Sequence, residues 1–109
     1  MKIYDIDITD TAIADMDGIY EYIAIDLASP ITALNQYNRI AEAIMSLCNF
    51  PERFPIFDVE PEKSRKIRRM SIDNYLVCYV IDKKTVVIIN VLYGASDIHS
   101  KLLDRFKSN

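Results

Sequence analysis

No stretch of the 109-residue sequence stays apolar for the ~20 residues that a membrane-spanning helix needs. Its opening, MKIYDIDITD, alternates apolar with acidic residues and lacks the unbroken apolar core of a secretion signal. The expected location is therefore the cytoplasm, with no membrane partner. Low-complexity segments are missing, and half of the residues are apolar, which excludes a disordered chain. Cysteine is limited to Cys48 and Cys78, without a C-x-x-C or Cys/His spacing, so neither a disulfide framework nor a zinc site is expected. Each sits in an apolar pattern and reads as a reduced core thiol. Metal ligands and other cofactors are not expected. The single histidine, His99, has no evident catalytic partner in the sequence.

Positive charge is scarce in the first half. Residues 1–62 carry three basic groups (Lys2, Arg39, Arg53) and twelve acidic ones, 3 − 12 = −9. Residues 63–109 carry ten basic and four acidic groups, 10 − 4 = +6, and the sum is the net −3. An anionic partner would be drawn to the second half, or the two halves complement each other within one fold.

What the chain does have is a dense β-forming stretch, Arg65 to Gly94, RKIRRMSIDNYLVCYVIDKKTVVIINVLYG. Its Val, Ile and Tyr runs are broken only at Asp73-Asn74 and Asp82-Lys83-Lys84, which are short enough for tight hairpins. Three antiparallel strands are predicted, at roughly 65–71, 75–81 and 85–93. The middle one is apolar on both faces, as a strand covered on both sides should be. Lys2 to Thr9 alternates imperfectly and reads as a further strand.

Thr9-Asp10-Thr11 offers N-caps for a helix whose stripe is Ile13, Met16, Tyr20, Ile23 and Leu27. Ser29-Pro30 then caps a second helix, with Leu34, Tyr37, Ile40 or Ala41, Ile44 and Leu47 on one face. That helix should stop near Asn49, ahead of Phe50-Pro51. A three-residue connection makes the two an antiparallel helical hairpin. Residues 49–64, with three prolines, form a loop whose Phe50, Phe54, Ile56, Phe57 and Val59 either pin it to the core or form a lip for a partner. Ser96 to Phe106 completes a β-α-α-β-β-β-α order as a short helix. The expected class is α+β, one domain over residues 1–109, with the hairpin packed on an antiparallel sheet.

In combination, DGIYEYIAIDLASPITA (17–33), AIMSLCNFPERFP (43–55), KIRRMSIDNYLVCYVID (66–82) and VLYGASD (91–97) resemble the RelE/ParE-type toxins of type II toxin–antitoxin modules, the plasmid stabilisation proteins. The resemblance covers nearly the whole chain. It implies the same helical hairpin on a sheet, and a cognate antitoxin that folds over the toxin in a heteromeric complex. Contact with DNA would come only through that antitoxin. It also implies one of two targets: ParE-like members poison DNA gyrase, whereas RelE-like members cleave mRNA in the ribosome without a metal.

Metal-free cleavage needs a base, an acid and cations for the developing phosphorane charge. Where RelE-like sequences tend to carry arginines, this chain has Ser71 and the run Gly94-Ala95-Ser96-Asp97, and serine cannot clamp phosphate as a guanidinium does. The remaining weak catalytic candidates are Arg68, Arg69 and Tyr93. For target or antitoxin binding the candidates are Lys66, Arg68, Arg69, Phe54 and Phe57. On a strand, Arg69 shares a face with Ile67, and Lys66 with Arg68; with Ile67 inward, the latter pair is expected on the open face. The favoured reading is a ParE-like binding poison with DNA gyrase as a candidate target. A RelE-type, ribosome-dependent endoribonuclease is the alternative, and an inactive homologue is the third.

Overall fold

The computed structural model describes residues 3–94. The expected helix at 96–106 and His99 lie outside the described residues. Four strands form one sheet: β1 (Asp5–Ile8), β2 (Arg68–Ile72), β3 (Tyr75–Asp82) and β4 (Thr85–Tyr93), in the spatial order β1-β4-β3-β2. β2, β3 and β4 are an antiparallel meander, as their short breaks require. The reversals put Asp73 and Lys83 at positive φ, 54° and 56°.

The all-antiparallel sheet needs one correction. β1 lies parallel to β4, pairing Asp5 with Thr85 through Ile8 with Ile88, so the sheet is mixed. The helices carry the chain from one sheet edge to the other, and the meander walks back until β4 arrives beside β1 in the same direction.

Between them run α1 (Asp10–Glu21), a π-helical turn (Tyr22–Asp26) and α2 (Pro30–Met45), followed by 3-10 turns at Ser46–Cys48 and Pro51–Arg53. Thr9 caps α1 by accepting from the Ala12 amide at 3.2 Å. Pro30 opens α2, but the Ser29 hydroxyl bonds Thr32 Oγ1 rather than a backbone N–H.

Most of each expected stripe is buried, Met16 and Ile23 in the first and Ile40, Ile44 and Leu47 in the second, but each opens on an alanine, Ala12 or Ala33, in place of the larger residue after it. α1 buries Ala12 and Met16, and the π turn Ile23, while Ile13 (43% exposed) and Leu27 (55%) face outward. α2 buries Ala33, Ile40 and Ile44, while Leu34 is 52% exposed. Close approach of helix to sheet and helix to helix selects alanine at the contact, and bulkier neighbours rotate away. The π turn, with its wider i→i+5 ladder, also takes Leu27 out of phase with the residues before it.

The main core lies between the helices and one sheet face, with Met16, Ile40, Ile44, Leu47, Val77, Tyr79, Val86, Ile88 and Val91 at its centre. A second cluster, Ile67, Leu76, Cys78 and Leu92, with Phe57 packed against it, occupies the opposite face. β3 is therefore buried on both sides from Leu76 to Tyr79.

Candidate functional site

Strand register decides where each candidate side chain goes. Arg69 lies opposite Cys78 and Ser71 opposite Leu76, on the face away from the helices. Arg68 lies opposite Tyr79, on the helix face. Its guanidinium is not on an open surface but donates to the carbonyls of Glu52 (3.0 Å) and Phe54 (2.7 Å). Beside it the Tyr79 hydroxyl donates to the Pro51 carbonyl at 2.6 Å. Arg68 and Tyr79 together fasten the proline-rich segment to the sheet.

That segment also adds a rung to the β2 edge. The Phe57 amide donates to Ile67 O (2.9 Å), and the Arg69 amide to Pro55 O (3.0 Å). Phe54 packs on the main core and Phe57 on the second cluster, so the aromatics act chiefly as pins. Phe50, at positive φ and 71% exposed, and Val59 are the outward exceptions. Lys66 is exposed at a left-handed position (φ 57°) just before β2.

The remaining candidates lie at one end of the sheet, Arg69 and Phe57 on the face away from the helices and Tyr93 on the helix face. Phe57, Arg69, Ser71, Tyr75, Tyr93 and the Asp73-Asn74 turn line a recess of about 480 Å³. The Arg69 guanidinium sits over the Phe57 ring, 5.7 Å from its centre, which holds the cation at the recess wall. Tyr75 and Tyr93, cross-strand partners, meet edge to face at 5.8 Å. Burial pushes the Tyr75 phenol above its ordinary value, with Tyr93 and Tyr22 adding to the shift. Gly94 closes the recess. Its amide donates to Asn74 O at 2.8 Å, and a Cβ there would lie 3.2 Å from that oxygen.

Asp73 is tied to α2. Arg39 Nε and Nη2 donate to its two carboxylate oxygens at 2.7 and 2.9 Å, and Gln36 adds a third bond at 2.9 Å. Those bonds hold its carboxyl below the usual carboxylate range. The turn carboxylate is thus neutralised by α2 rather than left facing Arg69.

Tyr75 was not among the sequence candidates. Counting back from the two-residue turn would pair Tyr75 with Leu92; a bulge that sets Cys78 against Asn90 but Tyr79 against Ile88 shifts the register by one and brings Tyr75 opposite Tyr93, a signal the sequence does not carry. Arg69, Ser71 and Phe57 share the face away from the helices, whereas Tyr75 and Tyr93 belong to the helix face and border the recess only at the sheet end; Arg68, Phe54 and Lys66 stand outside it. Among the described residues no group of three or more His, Cys, Asp or Glu side chains is placed to hold a metal ion.

Comparison with known proteins places this architecture. Among solved structures, the chromosomal ParDE toxin–antitoxin system from P. aeruginosa superposes with a TM-score of 0.70 at 18% identity, covering 85% of this chain and 98% of that one. The RelBE2 toxin–antitoxin complex from Mycobacterium tuberculosis superposes with a TM-score of 0.61 at 22% identity, covering 88% and 97%. At such identities the likeness establishes the fold. No curated protein sequence matches the chain. The model of the ParE toxin of type II (parDE) toxin–antitoxin systems matches residues 6–98, from β1 through the whole sheet. A match of that extent to a chain with this hairpin-on-sheet fold makes the protein a member of the ParE toxin family of type II toxin–antitoxin systems.

Proposed function

We propose that this toxin acts by binding its target rather than by cutting RNA, and that a cognate antitoxin neutralises it in a heteromeric complex. The observation that carries the reading is the chemistry of the recess. Among its described residues the one cation is Arg69, shelved on Phe57, and Ser71 stands beside it where a second guanidinium would be needed. The neighbouring Arg68 is committed to two loop carbonyls. Among the described residues a phosphorane intermediate would have a single positive partner there, and none of them sets an imidazole or lysine beside Tyr93 to complete an acid–base pair.

A guanidinium and a phenylalanine on one face of the sheet end, with a tyrosine pair on the other, suit protein recognition, where such residues concentrate binding energy. The target we favour is DNA gyrase, because the matching family model is that of ParE. Both solved relatives are described as toxin–antitoxin assemblies, which supports an antitoxin partner here; DNA contact would run through that antitoxin. The working location is the cytoplasm; among the described residues no helix is long and apolar enough to cross a membrane.

Expression of the chain without an antitoxin in a bacterium tests the reading. Filamentation with DNA breaks, and loss of gyrase supercoiling activity in the presence of purified protein, are expected. Arg69→Ala should weaken both while leaving the thermal transition in place. Cleaved message on translating ribosomes would replace the proposal with the endoribonuclease, and normal growth with full gyrase activity would replace it with the inactive homologue.

A further inference from the structure

Among the described residues Phe50 is the aromatic side chain most open to solvent, and its backbone is left-handed (φ 47°, ψ 57°). That region suits glycine or asparagine and is an outlier for a bulky side chain. Phe50 therefore gives up backbone energy and gains no burial in return. The turn that presents it is nevertheless tied down. The Arg53 guanidinium donates to the carbonyls of Asn49 and Phe50, the latter at 3.1 Å, and to Ser46 Oγ at 3.1 Å. It also lies over the Phe54 ring, 4.7 Å from its centre. Pro51 is buried, and its carbonyl accepts the Tyr79 hydroxyl. The Glu52 carbonyl accepts from Arg68, and the Cys48 carbonyl accepts the Tyr4 amide at 2.9 Å. A strained residue held in place by its surroundings is a mark of a functional position. Phe50 lines neither the recess nor the groove beside α1, and the segment after it packs on the helix side of the sheet.

We propose that Phe50 is a projecting anchor for the toxin's target, a protein that offers an apolar pocket to the benzyl ring. An aromatic side chain presented on a fixed turn enters such a pocket with little ordering left to lose, and buried aromatics of this kind concentrate binding energy. Two exposed apolar residues adjoin the turn: Met45 closes α2, and Ile3 precedes the Tyr4 whose amide bonds the Cys48 carbonyl. The cation nearest in sequence, Arg53, is committed to main-chain carbonyls, and Glu52 places an acid beside it. Those neighbours suit an apolar protein pocket better than a nucleic-acid base flanked by phosphates. The inference rests on the reading of the chain as a toxin that acts by binding, and not on gyrase as the target.

The test compares the full chain with Phe50→Asn, because asparagine accepts the left-handed conformation while removing the ring. The thermal transition of the variant should stay level or rise. The concentration of purified protein that halves supercoiling by DNA gyrase should increase about tenfold or more. Growth arrest on expression without an antitoxin should weaken in parallel. Inhibition and arrest at wild-type levels in Phe50→Asn would overturn the anchor, and so would a lowered thermal transition, which would make the ring a packing element. Binding of a single-stranded oligonucleotide that disappears with the ring would assign Phe50 to base stacking and overturn it as well. A wild-type chain that arrests growth without affecting gyrase, with the arrest lost in Phe50→Asn, would remove gyrase as the target and leave the anchor standing. A wild-type chain with neither effect would overturn both.

Discussion

At the scale of single residues, Tyr79 couples burial to titration. Its phenol is pushed up to about 12, chiefly by burial, with Arg68 and Arg53 opposing the rise and Glu52 adding to it. An unfolded tyrosine ionises near pH 10. As pH rises past that value the unfolded chain releases the proton first, so stability present below about pH 10 is lost progressively towards pH 12. Denaturant unfolding at pH 9 and pH 11 should show the later midpoint at pH 9. Tyr79→Phe should flatten that difference. At neutral pH it should cost about 1–3 kcal/mol, because the Pro51 carbonyl loses its donor. Gly18 is the opposite case: it sits in the exposed interior of α1 with room around it, so Gly18→Ala should stabilise the fold by about 0.5–1 kcal/mol in the same measurement.

Among elements, the proline-rich segment and β2 depend on each other. Hydrogen bonds from the Phe57 and Arg69 amides join their backbones, and the Arg68 guanidinium locks the join from the helix side. Two adjacent arginines of one strand therefore have separate duties. Arg68→Ala should lower stability by about 1.5–3 kcal/mol, as charge-assisted bonds to two carbonyls are lost. Amide exchange at Phe57 and Arg69 should accelerate with it. Arg69→Ala removes an exposed cation–π contact and should cost no more than about 1 kcal/mol. Equal destabilisation by the two substitutions would contradict the assignment of faces. The period-2 rule put the two arginines on different faces; which face had an inside was set by the segment around Pro51–Phe57 arriving on the helix side, a contact 14 to 16 residues distant in sequence.

For the whole molecule, two layers of core sandwich one central strand. Cys78 lies in β3, with no exposed surface, whereas Cys48 is only part-buried at the end of the 3-10 turn after α2. A thiol reagent should modify Cys48 first, through local fraying. Cys78 should react only as fast as the sheet opens, and its rate should follow global stability across the variants above. Comparable rates for both thiols would mean that β3 lacks cover on one face.

Much of this architecture can be read along the chain. The meander is written in β-branched runs with breaks too short for anything but hairpins, and the helical hairpin in two amphipathic stretches around Ser29-Pro30. These are local properties, fixed by the side-chain period of each element and by the conformations its turn residues allow. The direction of β1, the alanine that opens each buried helix stripe, the inward turn of Arg68 and the bulge that sets Tyr75 beside Tyr93 are decided elsewhere. Each depends on which surfaces come within contact distance once the hairpin lies on the sheet. Packing at close approach favours alanine over the larger apolar residue beside it, and a strand gains a parallel neighbour only when the rest of the sheet brings one alongside. Residue order sets the elements and their apolar faces; three-dimensional contact chooses among the ways those faces can be satisfied.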